Sequence, residues 1–219
     1  MKDLPLRTIT GIGFAAAVLL ASFTPWQVFG PILVVAGAIA LRELYRIRRA
    51  GPAALLQLVV LVLGLAALWW LRVLTDVIGK PQGFSVPLVL VVILPTWAGD
   101  VVAYLVGSAI GTRKLVPTLS PGKTWEGTIA GFIAAGLVAA IIASIDHLPS
   151  GVVFAVLVGP VALAGDLLES WVKRRAGVKD SGTLFPGHGG MLDRIDSLLA
   201  VSILGLALYA PGCCVTPLG

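Results

Sequence analysis

Of the acidic residues that lie inside strongly apolar segments of this chain or at their ends, where a carboxylate is costly to bury, five are candidates for one site. They are Asp100, Asp166, Glu169, Asp193 and Asp196. Four of them form two pairs with a spacing of three residues, so each pair would share one face of a helix. If these helix faces meet, all five carboxylates gather at one end of a helical bundle.

Carboxylates that are brought together in a medium of low dielectric either take up protons or hold cations. An oxygen-only ligand set, with no His or Cys close in sequence, suits Mg²⁺ better than zinc. We therefore predict an Mg²⁺ site, with room for a second cation, in which Asp166 and Asp193 are the first ligands. The alternative is that each acid pairs with a nearby Lys or Arg as a structural contact. The sequence leaves that alternative open for Glu169, Asp180 and Asp196.

Two loops rich in glycine, proline and charge flank these acids, at residues 111–123 and 173–191. In the first loop, Ser120 is predicted to cap the next helix and to leave free backbone amides beside Lys123 for a phosphate group. In the second loop, cations precede the glycine-rich turn PGHGG, where the backbone can approach a bulky anion. Lys123 could instead serve only membrane topology, and His188 could be a hydrogen-bonding strut.

These loops and acids together give a predicted site for phosphate chemistry. The predicted catalytic residues are Asp166, Lys179, Asp193 and Asp196. The predicted substrate-binding residues are Ser120, Lys123, Lys173, Arg174, His188, Gly189, Gly190 and Arg194. The predicted metal ligands are the five acids named above, and the cations would neutralise the phosphate groups that the metal bridges.

The composition indicates the environment of these residues. Of the 219 residues, 58% are hydrophobic and 12% are charged, and the mean hydropathy is +0.98. Soluble domains have about 25% charged residues. So few charges cannot cover a soluble globule, which excludes a soluble enzyme, a disordered protein and a nucleic-acid-binding module. We predict an integral membrane protein.

Seven apolar runs approach the length of roughly 20 residues that a helix needs to cross a bilayer. They lie at about residues 8–24, 26–45, 53–74, 86–110, 124–145, 152–172 and 192–210. The predicted fold is an all-α polytopic membrane protein with about seven transmembrane helices in one bundle. Residues 1–85 would hold three helices, and residues 86–219 would form the catalytic region.

Lysine and arginine residues are unequally divided between the two sides of the predicted bundle. With seven spans, 14 of them fall on the side of the N-terminus, and only Arg72 and Lys80 fall on the other. Because cytoplasmic loops are enriched in Lys and Arg, we expect the N-terminus in the cytoplasm and the C-terminus outside. The two loops that carry the chemistry would then face the cytoplasm.

Residues 170–196, SWVKRRAGVKDSGTLFPGHGGMLDRID, resemble the signature of phosphatidate cytidylyltransferases, also called CDP-diacylglycerol synthases. The shared residues are Ser170, Lys173, Arg174, Lys179, Asp180, Gly182, His188, Gly189, Gly190, Asp193, Arg194 and Asp196. The segments SPGKTWEG, at 120–127, and AGDVVAYLVGSAIG, around Asp100, also resemble family segments in the same order. The resemblance covers roughly the C-terminal half. The first three predicted spans share only their hydrophobicity with the family.

This resemblance implies a nucleotidyltransferase that converts CTP and phosphatidate into CDP-diacylglycerol and pyrophosphate with Mg²⁺, in phospholipid biosynthesis. The implied partners are CTP, phosphatidate and the bilayer, without nucleic acid, and a homodimer stays open. The implied location is the inner, or plasma, membrane as a multi-pass protein. Its active site would face the cytoplasm, where a lipid head group meets a soluble nucleotide.

Two other functions use similar residues. A CTP-dependent kinase acting on a polyprenol or phytol would bind the same nucleotide and metal, but it would transfer the γ-phosphoryl group to an alcohol. A cation transporter would use acids within the membrane, usually near its midplane. The acids of this chain lie mainly toward one face beside basic loops, which favours the nucleotidyltransferase.

Overall fold

The computed structural model describes residues 4–77, 86–145, 150–185 and 189–210. Within these ranges the chain forms seven α-helices, at α1 (Leu4–Ser22), α2 (Trp26–Arg46), α3 (Pro52–Val77), α4 (Leu88–Ile110), α5 (Trp125–Ile145), α6 (Gly151–Arg175) and α7 (Leu192–Tyr209). A short antiparallel hairpin of β1 (Lys114–Val116) and β2 (Ser120–Thr124) connects α4 to α5. The predicted helical bundle is confirmed.

Five of the described helices, α2 to α6, are long and apolar enough to cross a membrane. Their lengths of 21 to 25 residues match the thickness of the hydrocarbon core, and few charges interrupt them. The apolar part of α1, Ile9–Ser22, is shorter, and α7 has 18 residues and opens with charged side chains. The chain is therefore a polytopic membrane protein. The crossing of the bilayer by α1 and α7 stays a prediction.

The first half of α4 lies at the centre of the bundle. Residues 88–93 are all apolar and buried, and they pack in one cluster with side chains of α3, α5, α6 and α7. The second half of α4 is more exposed and carries polar side chains among its apolar ones, Asp100 and Tyr104 among them; it is called the polar half of α4 below. One helix thus anchors the core and also presents a carboxylate at the end of the bundle.

Small residues bring α5 close to α4. A Cβ atom placed on Gly127 would overlap the carbonyl oxygen of Ala103, and one on Gly131 would overlap the Ala103 side chain. Such small-residue contacts let helix backbones approach closely in membranes. The approach positions the hairpin, which enters α5, directly beside the polar half of α4.

The prediction that Ser120 caps α5 is wrong. Ser120 lies in β2, where it pairs with Val116, and α5 begins at Trp125. Thr124 caps this helix, because its Oγ1 accepts a hydrogen bond from the Gly127 amide at 3.2 Å. The hairpin pairs backbone groups that the sequence prediction left free for an anion.

The second loop is shorter than the predicted 173–191, because α6 continues through Arg175. Lys173 and Arg174 therefore project from the last turn of a helix. Cations are favoured there because they complement the partial negative charge of the helix end. The loop proper begins at Ala176.

Candidate active site

A polar cavity of about 770 Å³ lies where the hairpin, the end of α6 and the start of α7 meet the polar half of α4. Ten of the predicted site residues line it: Asp100, Ser120, Lys123, Asp166, Lys173, Arg174, Lys179, Asp193, Arg194 and Asp196. The structure therefore brings both basic loops and four of the five acids to one place. His188 lies outside the described residues.

Lys123 connects the hairpin to α6, because its ammonium group forms an ion pair with Asp166. Both side chains keep about a quarter of their surface exposed to the cavity. Ser170, one turn further along α6, donates a hydrogen bond from its hydroxyl to Asp166 Oδ1 at 3.3 Å. Asp166 is thus held by one cation and one hydroxyl at the cavity wall.

Asp193 accepts hydrogen bonds on both carboxylate oxygens. Lys173 Nζ donates to Oδ1 at 2.7 Å. The Ser181 amide, the Ser181 hydroxyl and the Gly190 amide donate to Oδ2 at 2.9, 2.9 and 2.7 Å. Each carboxylate oxygen offers about two lone-pair positions. Oδ2, which accepts three hydrogen bonds, is therefore saturated, and Oδ1, which accepts one, keeps one position for a further partner.

Lys173 also contacts Glu169, one turn earlier on α6, at 3.1 Å. Glu169 is fully buried behind the cavity wall. Its second oxygen, Oε1, has no hydrogen-bond partner among the described residues. An unpartnered buried carboxylate oxygen is costly, so this atom requires a proton or a cation when the site is assembled.

The two loops are tied together by Arg174. Its Nε donates to the carbonyl of Leu119 at the tip of the hairpin at 3.2 Å, and its NH1 donates to the carbonyl of Val178 at 2.9 Å. These contacts use only part of the guanidinium, which carries five N–H donors. Arg174 therefore fixes the loops relative to each other and retains donors for an anion.

Lys179 and Arg194 are exposed cations at the cavity. Neither side chain makes a hydrogen bond or ion pair with another described residue. A cation without a protein partner is available to an incoming phosphate at no cost of breaking an existing contact. These two residues are therefore accessible anion contacts of the site.

Gly189 and Gly190, just before α7, do not line the cavity themselves. Gly189 has a φ of +80°, a conformation that L-residues with side chains rarely adopt. This turn directs the Gly190 amide onto Asp193. In the described structure the predicted glycine pair therefore positions a carboxylate, and its contact with a substrate phosphate stays a prediction.

The donor set can be tested against Mg²⁺, the implied metal. Carboxylate oxygens are the ligands that Mg²⁺ prefers, and Asp100, Asp166 and Asp196 line one cavity. In the described residues, no three His, Cys, Asp or Glu side chains stand close enough to hold an ion. Lysine ammonium groups contact Asp166 and Asp193 instead. The donor chemistry fits Mg²⁺, and a bound cation would take over contacts that lysines now make.

Two residues of this region were missed by the sequence analysis. Glu43 of α2 is buried beneath the start of α7, and Ser181 of the second loop is buried between Glu43 and Asp193. The signal for Glu43 was available, because it is an acid within a predicted span and so requires a partner. Ser181 gave no signal beyond its place inside the signature.

Comparison with known proteins identifies the relatives of this chain. Phosphatidate cytidylyltransferase of Brucella abortus is 46% identical over 128 residues, which are 57% of this chain and 47% of the relative. The protein of that name from Haemophilus influenzae is 46% identical over 121 residues, or 52% and 42% of the two chains. That from Bacillus subtilis is 44% identical over 109 residues, or 48% and 40%.

The chain spans about half the length of the curated relatives it matches. A match to a family covers more of it, since the sequence model of the Cytidylyltransferase family aligns with residues 51–210. These residues include the hairpin, the end of α6, the second loop and α7. This chain belongs to the Cytidylyltransferase family.

Proposed function

We propose that this protein is a phosphatidate cytidylyltransferase. The observation that carries the proposal is the polar cavity, in which cations from two loops and carboxylates from three helices meet at one end of an apolar bundle. A nucleotide from the water phase and a lipid phosphate at the membrane surface can both reach such a place. The relatives described above are phosphatidate cytidylyltransferases, which agrees with this chemistry.

The reaction is a nucleotidyl transfer between two phosphate groups. An oxygen of the phosphatidate monoester attacks the α-phosphorus of CTP, and the bond from that phosphorus to the bridging oxygen of the β-phosphate breaks. CDP-diacylglycerol forms and pyrophosphate leaves with the electron pair of the broken bond. The lipid phosphate is already a nucleophile, so catalysis consists mainly of positioning and charge neutralisation.

Different cations of the cavity bind the phosphate groups and position the loops. Lys179 and Arg194 meet the phosphate groups first, since no carboxylate among the described residues forms an ion pair with either side chain. Lys123 exchanges its contact with Asp166 for a phosphate oxygen when substrates bind. Arg174 keeps the hairpin and the second loop at a fixed separation while this happens.

Asp100, Asp166 and Asp196 are the proposed holders of Mg²⁺, with the free position of Asp193 Oδ1 and the buried Glu169 nearby. When bound, the metal neutralises negative charge on the triphosphate. Asp193 additionally holds Lys173 and the second loop by its hydrogen bonds. A second cation beside the first is part of the same proposal.

The proposed setting is a plasma membrane with the cavity on the cytoplasmic face. The uneven division of Lys and Arg supports this orientation. In the described part of the opposite end of the bundle, Arg72 donates to the carbonyl of Thr24 at 2.8 Å and pairs with Asp76. That arrangement locks helices together and gathers no group of cations.

The test is the fate of two labels in CTP. With purified protein, phosphatidate and Mg²⁺, label from the α-phosphate should enter the lipid, and label from the γ-phosphate should leave as pyrophosphate. The lipid-kinase alternative predicts the reverse, with γ-label in the lipid and CDP as the product. Transfer of γ-label to a polyprenol or phytol, without α-label in any lipid, would refute the proposal.

A further inference from the structure

Glu43 is a buried acid of α2, in a part of the chain that precedes the family match. Its carboxylate accepts hydrogen bonds from the backbone amides of Met191 and Leu192 at 3.0 and 2.9 Å. These amides open α7, whose own N-cap residue provides no side-chain hydrogen bond. Glu43 therefore caps α7 from across the bundle, and the positive end of that helix stabilises its charge.

The second loop closes around the same carboxylate from both of its ends. The Ser181 hydroxyl lies 3.2 Å from Glu43 Oε2 and 2.9 Å from Asp193 Oδ2, so it stands between the two acids. A Cβ atom on Gly182 or on Gly190 would overlap the Glu43 carboxylate. The loop fits this acid so closely that a side chain at either glycine would have to displace the Glu43 carboxylate.

Two of the residues beside Glu43, Ser181 and Gly190, also hold Asp193. Ser181 donates to Asp193 through both its amide and its hydroxyl, and Gly190 donates through its amide. Asp193 in turn holds Lys173 in the cavity. A displacement of the Glu43 carboxylate would therefore move two cavity residues that Glu43 itself does not touch.

We propose that Glu43 is a positioning residue of the active site, which holds the second loop and the start of α7 so that Asp193 and Lys173 face the substrates. The inference rests on the proposed function. A purely structural role would make Glu43 contribute to the stability of the fold and leave the turnover of folded molecules unchanged. The two roles predict different kinetics.

The experiment compares Glu43→Gln with Arg42→Gln in the full-length protein. Glutamine keeps the size of the side chain but presents an NH₂ donor where the amides of α7 need an acceptor. We expect kcat for CDP-lipid formation, per folded molecule, to fall about 10-fold, because small displacements of catalytic groups have large effects. Arg42 is the exposed neighbour on the same helix turn, and its substitution should leave kcat within about two-fold.

Ser181→Ala provides a second variant, since removing one hydroxyl is mild enough for folding. It should lower kcat roughly five-fold by breaking the link between the two acids. In the double variant, the loss on replacing Glu43 should be smaller than in the wild type, because both substitutions act through one path. Melting temperatures of all variants are recorded beside the kinetics.

The outcomes separate the inference from the function on which it rests. An active wild type whose Glu43→Gln variant keeps full kcat, even with a lower melting temperature, would overturn the positioning role alone. Losses in kcat that add fully in the double variant would overturn the path through Ser181. An inactive wild type would contradict the proposed function and, with it, the inference.

Discussion

At the scale of single residues, two carboxylates of the cavity form ion pairs with lysines. Lys123 contacts Asp166, and Lys173 contacts Asp193 and Glu169. Ion pairs in a partly buried site are weakened less by water than those at a surface, so they hold the side chains in place. When substrates bind, some of these lysines must leave a carboxylate for a phosphate oxygen. The residues that can do so are the ones with exposed atoms.

Asp166→Asn should reduce turnover on the order of 100-fold, as expected when a metal-site carboxylate loses its charge. The protein should still insert and purify, because Asp166 is partly exposed and asparagine keeps its shape. An Mg²⁺ titration tests the role of Asp166 more directly. The Mg²⁺ concentration that gives half-maximal activity should be higher for Asp166→Asn than for the wild type. In Asp193→Asn, by contrast, activity should fall even at saturating Mg²⁺. Near-normal activity in Asp166→Asn would refute its role.

Lys123→Ala and Lys179→Ala should each lower kcat/KM at least 10-fold, equal to roughly 1.4 kcal/mol of lost transition-state stabilisation. Arg175→Ala is the matched control. Arg175 is exposed at the end of α6 with its guanidinium 5.0 Å from the Trp171 ring centre, and it does not line the cavity. Its kcat/KM should change less than two-fold or so. Equal small losses in all three variants would show that the cations act only by general attraction.

At the scale of elements, a single side chain, that of Glu126, holds the base of the hairpin between α4 and α5. Glu126, in the first turn of α5, accepts a hydrogen bond from the Thr112 hydroxyl at 2.7 Å and from the Arg113 amide at 3.2 Å. A carboxylate there also complements the positive end of α5. One residue thus fixes the base of the element that carries Lys123.

Glu126→Ala should therefore raise KM for CTP by roughly three- to ten-fold, because the hairpin loses hydrogen bonds to a charged acceptor. Since the acids of α6 and α7 stay in place, kcat should change less. Ser144→Ala, at the far end of the same helix, removes only a hydrogen bond to the Ile141 carbonyl and serves as the control. An unchanged KM in Glu126→Ala would contradict this role of the hairpin.

The elements also show what the sequence could predict. The positions of α2, α4 and α5 followed from apolar runs about as long as the bilayer is thick, a strictly local signal. The position of the hairpin did not follow from the sequence, because Ser-Pro can begin a helix as well as stand in a strand. The pairing of β2 with β1 decides in favour of the strand. Six of the ten predicted residues that line the cavity lie in one compact signature, namely Lys173, Arg174, Lys179, Asp193, Arg194 and Asp196. Glu43 offered the signal of an acid within a predicted span, but its partners could not be predicted, because they lie 138 to 149 positions away along the chain.

At the scale of the whole molecule, polar groups divide between two ends. The cavity, the end of α6 and the Glu43 contacts lie at one end, and the pair of Arg72 with Asp76 lies near the α1–α2 turn at the other. An apolar bundle separates them. A bilayer would therefore place the catalytic groups on a single face, and the charge distribution favours the cytoplasmic face.

Cysteine labelling in intact cells tests this orientation. In a background with Cys213 and Cys214 replaced by serine, Lys114→Cys and Thr183→Cys should resist a membrane-impermeant thiol reagent and react after permeabilisation. Both positions are exposed, whereas Gly182 is unsuitable because a side chain there would overlap Glu43. His147→Cys should react from outside. Labelling of position 114 or 183 in intact cells would reverse the proposed orientation.

The most direct test of the central claim is phosphorus NMR of the purified protein in liposomes that contain phosphatidate. After addition of CTP and Mg²⁺, the monoester signal of phosphatidate should decline while CDP-diacylglycerol and pyrophosphate appear in equal amounts. Asp166→Asn protein at the same concentration should leave the spectrum almost unchanged. The contrary result is a folded wild type that leaves phosphatidate intact, or that releases CDP while CTP is consumed. Either spectrum would show that this cavity does not transfer a cytidylyl group to phosphatidate.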